Sequence, residues 1–184
     1  MEKSDFQTND KVFSNDFNKD NSYFSWTSGS SGTPFFFAKS KYAHTMTWAF
    51  INYNYNIHKI KINSKQARFF GLTSSSRFKR IKENIKDIIL NRVRFPVQTI
   101  SEDNFDLIVK KFKNNKFDFL YGYANTLKLF AFLCIKNRLI LKDICPTLKV
   151  CISTSEMLTN EHREIMFKGF GINIVDEYGS SETN

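Results

Sequence analysis

With 184 residues, 41% of them hydrophobic, the chain can bury a core, which excludes a wholly disordered protein. A formal charge of +9 favours anionic partners such as nucleotides, CoA, nucleic acid or a membrane surface, without choosing among them. Cys134, Cys145 and Cys151 match no zinc spacing, and no apolar run approaches the roughly 20 residues that span a bilayer, so a reducing, cytoplasmic setting is the expectation.

Residues 1–21 are rich in Asn, Asp, Lys and Ser and read as a polar lead-in; residues 22–184 read as one domain. Tyr23 to Trp26 has strand chemistry, Thr27 to Pro34 is a loop of small residues, and Phe35 to Ala38 is a second short strand. Lys41 to Ile51 predicts a helix with Tyr42, Met46 and Trp48 among its packing residues. Gln66 to Leu72 is a strand, followed by a Thr/Ser loop. Between Arg77 and Leu90, isoleucines at helical spacing interleave with Arg77, Lys79, Arg80, Lys82 and Lys86, which predicts an amphipathic helix with a charged outer face. Val93 to Ile100 reads as a strand, with Pro96 at its edge or end.

The remainder has a clearer rhythm. Ser101 is an N-cap candidate for a helix whose apolar residues are Phe105, Leu107, Ile108 and Phe112. Phe117 to Tyr121 is a short strand ending at Gly122, and Asn125 to Asn137 a strongly apolar helix. Leu148 to Ile152 is a buried-type strand. Thr159 or Asn160 caps a helix that Gly169 and Gly171 stop, and Ile172 to Val175 is the last strand. Strands alternating with helices predict an α/β fold with a partly parallel sheet flanked by helices. Right-handed crossovers bring the carboxyl ends of such strands to one edge, and ligands bind beyond it.

Three polar loops follow predicted strands. Thr27-Ser28-Gly29-Ser30-Ser31-Gly32-Thr33 offers hydroxyls and close-approaching backbone N–H groups, as a phosphate cradle needs, but lacks the Gly-Lys-Ser/Thr of a Walker loop. On composition alone it also reads as a surface turn. Tyr178-Gly179-Ser180-Ser181-Glu182 supplies a ring for a base, hydroxyls for a phosphate and a carboxylate for Mg²⁺. Ser155-Glu156 is a weaker signal. His44, His58 and His162 pair with no Ser or Cys, which argues against a hydrolase triad, and Cys134 lies on an apolar helix as a core residue.

Taken in order, these motifs resemble the adenylate-forming enzyme superfamily, and within it the phenylacetate-CoA ligase-like proteins, including the branch of capsular polysaccharide biosynthesis proteins. Phe117 to Tyr123 running into an apolar helix, and Ser155-Glu156 followed by His162, Arg163 and Phe170-Gly171, are similar to that branch. The resemblance covers about Ser22 to Thr183. It implies that Thr27, Ser28, Gly29, Ser30, Ser31, Gly32 and Thr33 hold the β- and γ-phosphates of ATP. Tyr178 would lie against adenine with Gly179 beside it, and Ser155 and Glu156 would line the adenine side. Ser181 would bond the α-phosphate and Glu182 ligate Mg²⁺. Tyr121, Gly122, Tyr123 and Ala124 would form the acyl-substrate pocket.

The implied chemistry is attack of a carboxylate on the α-phosphate, loss of pyrophosphate, and capture of the acyl-adenylate by CoA or another acceptor. Two departures stand out. Ser31 replaces the usual Thr, and Phe35 follows Pro34 where many members have Lys. The family's ribose-binding Asp and its small C-terminal domain with a catalytic Lys have no counterpart before Asn184. The expectation is therefore an incomplete large N-terminal, AMP-binding domain, inactive alone and open to a complementary C-terminal fragment. Rival readings are a non-catalytic nucleotide-binding remnant and, ranked below it, a basic nucleic-acid-binding domain.

Overall fold

Residues 18–26, 36–71 and 77–179 of the computed structural model are described here, and they fall into two compact units. The first unit comprises Met1–Asn54 and Gly179–Asn184. In it β1 (Ser22–Trp26) and β2 (Phe36–Ser40) pair antiparallel, from Ser22↔Ser40 to Trp26↔Phe36. The Ser40 hydroxyl accepts from Ala43 N at 3.0 Å and so starts α1 (Lys41–Ile57), whose last three residues count with the second unit. The sequence predicted packing for Tyr42, Met46 and Trp48, yet no residue of α1 is buried and Tyr42 is 75% exposed. Apolar side chains stand all round this helix rather than on one stripe, so no single face is singled out for burial.

The second unit, Tyr55–Tyr178, carries a five-stranded, wholly parallel sheet in the order β4-β3-β5-β6-β7. Its elements are β3 (Gln66–Phe69), α2 (Arg77–Ile89), β4 (Arg92–Arg94), α3 (Phe105–Asn114), β5 (Phe119–Tyr123), α4 (Ala124–Lys136), α5 (Leu141–Ile144), β6 (Val150–Thr154), α6 (Asn160–Phe170) and β7 (Asn173–Glu177). From β3 the chain steps outward to β4, then returns past β3 to β5 and continues to β7. The direction of winding therefore reverses between β3 and β5, a topological switch point.

One face of this sheet buries the main core. Phe69 stacks on Phe95 at 4.8 Å and on Phe130 at 5.0 Å, and Phe112 meets Phe117 at 4.8 Å. Phe105, Ile108 and Phe112 of α3, Leu127, Phe130 and Cys134 of α4, and Met166 and Phe170 of α6 join them. Aromatic pairs of this kind contribute about 0.5–1.5 kcal/mol each beyond area burial, so the Phe-rich composition is used where the core is densest. Burial pushes the Cys134 thiol up to about 12 and the Cys151 thiol up as well, which makes both inert packing groups. The opposite face carries a smaller cluster of Ile60, Phe119, Val150 and Ile152.

Several local expectations shift. The first-turn partner of α3 is Asn104, and Ser101 instead accepts a hydrogen bond from its side-chain amide at 3.2 Å. Val97–Thr99 is a 3-10 turn rather than strand, because Pro96 ends pairing after Arg94. Thr159 does cap α6, accepting from His162 N at 3.2 Å, and Gly171 ends it in the left-handed region at φ 69°. Gly169 lies inside α6, where an added Cβ would stand 2.5 Å from the Ala131 carbonyl oxygen, so its role is close approach to α4 rather than a stop. On α2 the charged face does not simply point outward. Glu83 and Asp87 turn toward the sheet and pair with Arg94 at 2.6 and 2.8 Å, Asp87 also holds Arg92, and Phe78, Ile88 and Ile89 are exposed.

Candidate functional site

The carboxyl ends of β3, β5, β6 and β7 form one edge of the sheet, and side chains that the sequence singled out gather there. β5 runs without a loop into α4, so Tyr123, at φ −68° and ψ 140°, is the last strand residue and the N-cap of the helix at once. Tyr123 supplies no side-chain cap. The carboxylate of Glu156 does so from the loop after β6, accepting from Asn125 N at 2.8 Å. A negative group at a helix start meets unpaired N–H donors and the positive end of the helix dipole. Ser155, beside it, is exposed and holds a left-handed φ of 66°, the bend that turns Glu156 back toward α4.

Gly122 is set by close approach. A Cβ there would lie 2.4 Å from the Phe69 carbonyl oxygen and 2.7 Å from Phe69 Cβ on the neighbouring strand. Ala124 is likewise fully buried. These two residues thus offer backbone and packing, while Tyr121 and Tyr123 keep partly exposed side chains. Tyr178 is the first residue past β7 and is 95% exposed; Gly179 follows it, also exposed. Because β6 and β7 end on the pair Thr154↔Glu177, Ser155 and Tyr178 leave adjacent strands at the same level. That places them about 5 Å apart in the strand-to-strand direction.

Three groups that the sequence reading gave no role complete the edge. Glu177 accepts from the Tyr121 hydroxyl at 2.9 Å and from the Tyr55 hydroxyl at 3.0 Å. Burial, then the Glu177 charge, pushes the Tyr121 phenol up to about 12, and the same causes push Tyr55 up further. Both phenols therefore stay protonated and donate. Arg68 is half-buried, with its guanidinium 4.6 Å from the Phe70 ring centre and 4.9 Å from that of Tyr121. Burial lowers its pKa, and the charges of Arg92 and Arg94 act in the same direction. Phe70 in turn stacks on Tyr123 at 4.1 Å. An Arg at a strand end beside aromatic residues leaves no distinctive spacing in a sequence; only the register Arg68↔Tyr121 brings these groups together.

Thr27, Ser28, Gly29, Ser30, Ser31, Gly32 and Thr33, together with Ser181 and Glu182, lie outside the described residues. Among the described residues no three His, Cys, Asp or Glu side chains converge to hold a metal ion, and no helix is long and apolar enough to cross a membrane.

No protein-family model matches the chain, and no curated protein does. Solved structures do match. The complex of VinN with L-aspartate is 14% identical, with a TM-score of 0.56 over 86% of this chain and 37% of that one. The anthranilate CoA ligase AuaEII in complex with anthranoyl-AMP is also 14% identical, with a TM-score of 0.56 over 86% of this chain and 29% of its own. Apo MatB from Rhodopseudomonas palustris is 15% identical, with a TM-score of 0.55 over 88% of this chain and 29% of its own. The first solved chain found spans further still, only 36% of it being covered, so this chain corresponds to about a third of the length of the proteins it matches. What the likeness establishes is the fold: the α/β architecture with a parallel sheet flanked by helices is shared with chains of adenylate-forming ligases.

Proposed function

We propose that this chain is the ATP-binding part of an adenylate-forming ligase that activates a carboxylic acid as its acyl-adenylate. The observation that carries this reading is the convergence of two sequence motifs more than twenty residues apart, Ser155-Glu156 and Tyr178-Gly179, at the carboxyl edge of adjacent parallel strands. The β5–α4 junction lies one strand further along the same edge. The nucleotide would sit over the ends of β6 and β7, with adenine against the exposed Tyr178 ring and Ser155 beside it. Glu156 holds the start of α4 in place, and the acid would enter along Tyr121 and Tyr123.

Chemically, such a site has to align a carboxylate with the α-phosphate and neutralise the charge that develops, since a carboxylate needs no general base to attack. The hydroxyl-rich segment Thr27, Ser28, Gly29, Ser30, Ser31, Gly32 and Thr33 is assigned to the outer phosphates and Ser181 to the α-phosphate, on the resemblance alone. Glu182 is the one carboxylate assigned to Mg²⁺. The described residues add no further metal ligands, so no step is routed through the ion. Transfer of the acyl group to CoA or another acceptor, and the phenylacetate-CoA ligase-like branch with its members in capsular polysaccharide biosynthesis, are the finer parts of the reading. They rest on Phe117 to Tyr123 and on Phe170-Gly171.

Calorimetric titration of the full chain with AMP tests this. The chain should bind AMP, and Tyr178→Ala should weaken binding about fivefold or more, since stacking of a base on an aromatic ring is worth about 1–3 kcal/mol. The melting temperature should not move, because the ring is 95% exposed. No AMP binding, or equal binding by the variant, would sink the assignment.

A further inference from the structure

Arg68 is the one feature of this edge whose chemistry is unspent. Its neighbours in the sheet are provided for: Arg94 has Glu83 and Asp87, and Arg92 has Asp87. The nearest carboxylate along the edge, Glu177, is taken by two phenols. Among the described residues no carboxylate lies within ion-pairing distance of Arg68. A half-buried cation without a counterion is costly to maintain. The rings of Phe70 and Tyr121 over its faces offset part of that cost, and they hold the guanidinium so that its N–H groups remain the unsatisfied part. It also stands at the place where the winding of the sheet reverses, between β3 and β5, where a crevice opens in folds of this kind.

We propose that Arg68 anchors a second anionic group of the acid substrate, so that the ligand class of this site is an acid with a carboxylate at each end. This rests on the reading that the acid enters along Tyr121 and Tyr123. The reason for a second group is distance. Arg68 is level with Tyr121 and Ile152, and β3 is two strands away from β6, about 10 Å. Ser155 lies three residues further on from Ile152, about 10 Å along the strand. A carboxylate held by Arg68 is thus too far from the nucleotide end of the edge to be the one activated there. The activated carboxylate sits at the β6–β7 end, the anchored one at Arg68, and the Phe70–Tyr123 stack lines the carbon chain between them.

The test uses the full chain, with suberate, its monomethyl ester and octanoate as probes, followed by calorimetry or ligand-observed NMR, and with AMP as an independent readout. Suberate should bind about tenfold more tightly than octanoate, the lower end of what a hydrogen bond to a charged group contributes. The monomethyl ester should fall to the octanoate level, a deletion made in the ligand and so free of any folding effect. Arg68→Gln should bring the ratio of the two acids near one while leaving AMP affinity unchanged. Equal binding of suberate and its ester, a preference that survives Arg68→Gln, or AMP binding with no acid bound at all overturns the inference. Failure to bind AMP as well would overturn the nucleotide reading with it.

Discussion

The hydrogen bond from Tyr121 to Glu177 ties β5 to β7 across β6, and it makes a pH signature that can be calculated. The phenol titrates near 10 in an unfolded chain and is pushed up to about 12 in the folded one, first by burial and then by the Glu177 charge. Its folded-state pKa is the higher, so its contribution is fully present below pH 10 and is lost as pH rises toward 12. Between those values the unfolded chain binds fewer protons than the native one, and stability falls with pH. At pH 11 the loss is RT ln[(1 + 10)/(1 + 0.1)], about 1.4 kcal/mol for a shift of this size. Tyr121→Phe removes the titrating group together with the hydrogen bond, which costs about 1.5 kcal/mol at pH 8. Urea unfolding of both proteins at pH 8, 10 and 11, followed by circular dichroism, should show a gap of about 1.5 kcal/mol at pH 8 closing to near zero at pH 11. Tyr55 titrates in both proteins, so its contribution largely cancels in the difference. A gap that stays constant over this range, or widens, would refute the coupling of Tyr121 to Glu177.

Two further substitutions probe the strand-to-helix junction. Gly122→Ala places a methyl carbon 2.4 Å from a backbone oxygen of the paired strand, which cannot yield as a side-chain tip would; about 1–3 kcal/mol of destabilisation is expected in denaturant unfolding, and a neutral result would contradict the strand packing. Glu156→Ala leaves Asn125 N without its acceptor, which should cost about 1 kcal/mol, as loss of an N-cap does. Glu156→Gln, which keeps an acceptor oxygen, should recover most of that, and equal losses from both variants would argue against a capping role.

Much of the fold could be read from the sequence because its elements carry redundant signals. Thr159 and Gly171 bracket α6, and the apolar runs at β5 and β6 are too short and too unbroken for anything but buried strands. What could not be read was orientation. The 3.6-residue stripe of Ile81, Ile85 and Ile88 predicts an inward apolar face for α2, yet Arg92 and Arg94, two charges on the strand that follows, attract Glu83 and Asp87 and turn the acidic side toward the sheet. Periodicity shows that a helix is amphipathic; a partner from another element decides which side is covered. The same limit hid Arg68, Phe70, Tyr55 and Glu177, which become neighbours only through strand register. Tyr121, Tyr123, Ser155, Glu156 and Tyr178 were legible because each directly follows or ends a strand, and parallel strands with right-handed crossovers bring such residues to one edge.

The strand order explains why one edge carries both a nucleotide-type and an acid-type surface. At the β6–β7 end the chain winds in one direction, and what protrudes past the strands is short: a hydroxyl at Ser155 and a ring at Tyr178. Between β3 and β5 the winding reverses, α2 and α3 leave to different strands, and the residues at the reversal are large and aromatic, with Arg68 set among them. Glu177 bridges the two regions, since its carboxylate sits at the end of β7 and binds the phenol of Tyr121 on β5. A ligand that lengthens from one region to the other must pass this carboxylate. An anion held near it would be repelled, and one held by Arg68, on the far side of Tyr121, would be shielded by two neutral phenols. The arrangement therefore favours a substrate charged at its two ends and apolar between them, which is the acid that the suberate, ester and octanoate comparison is built to detect.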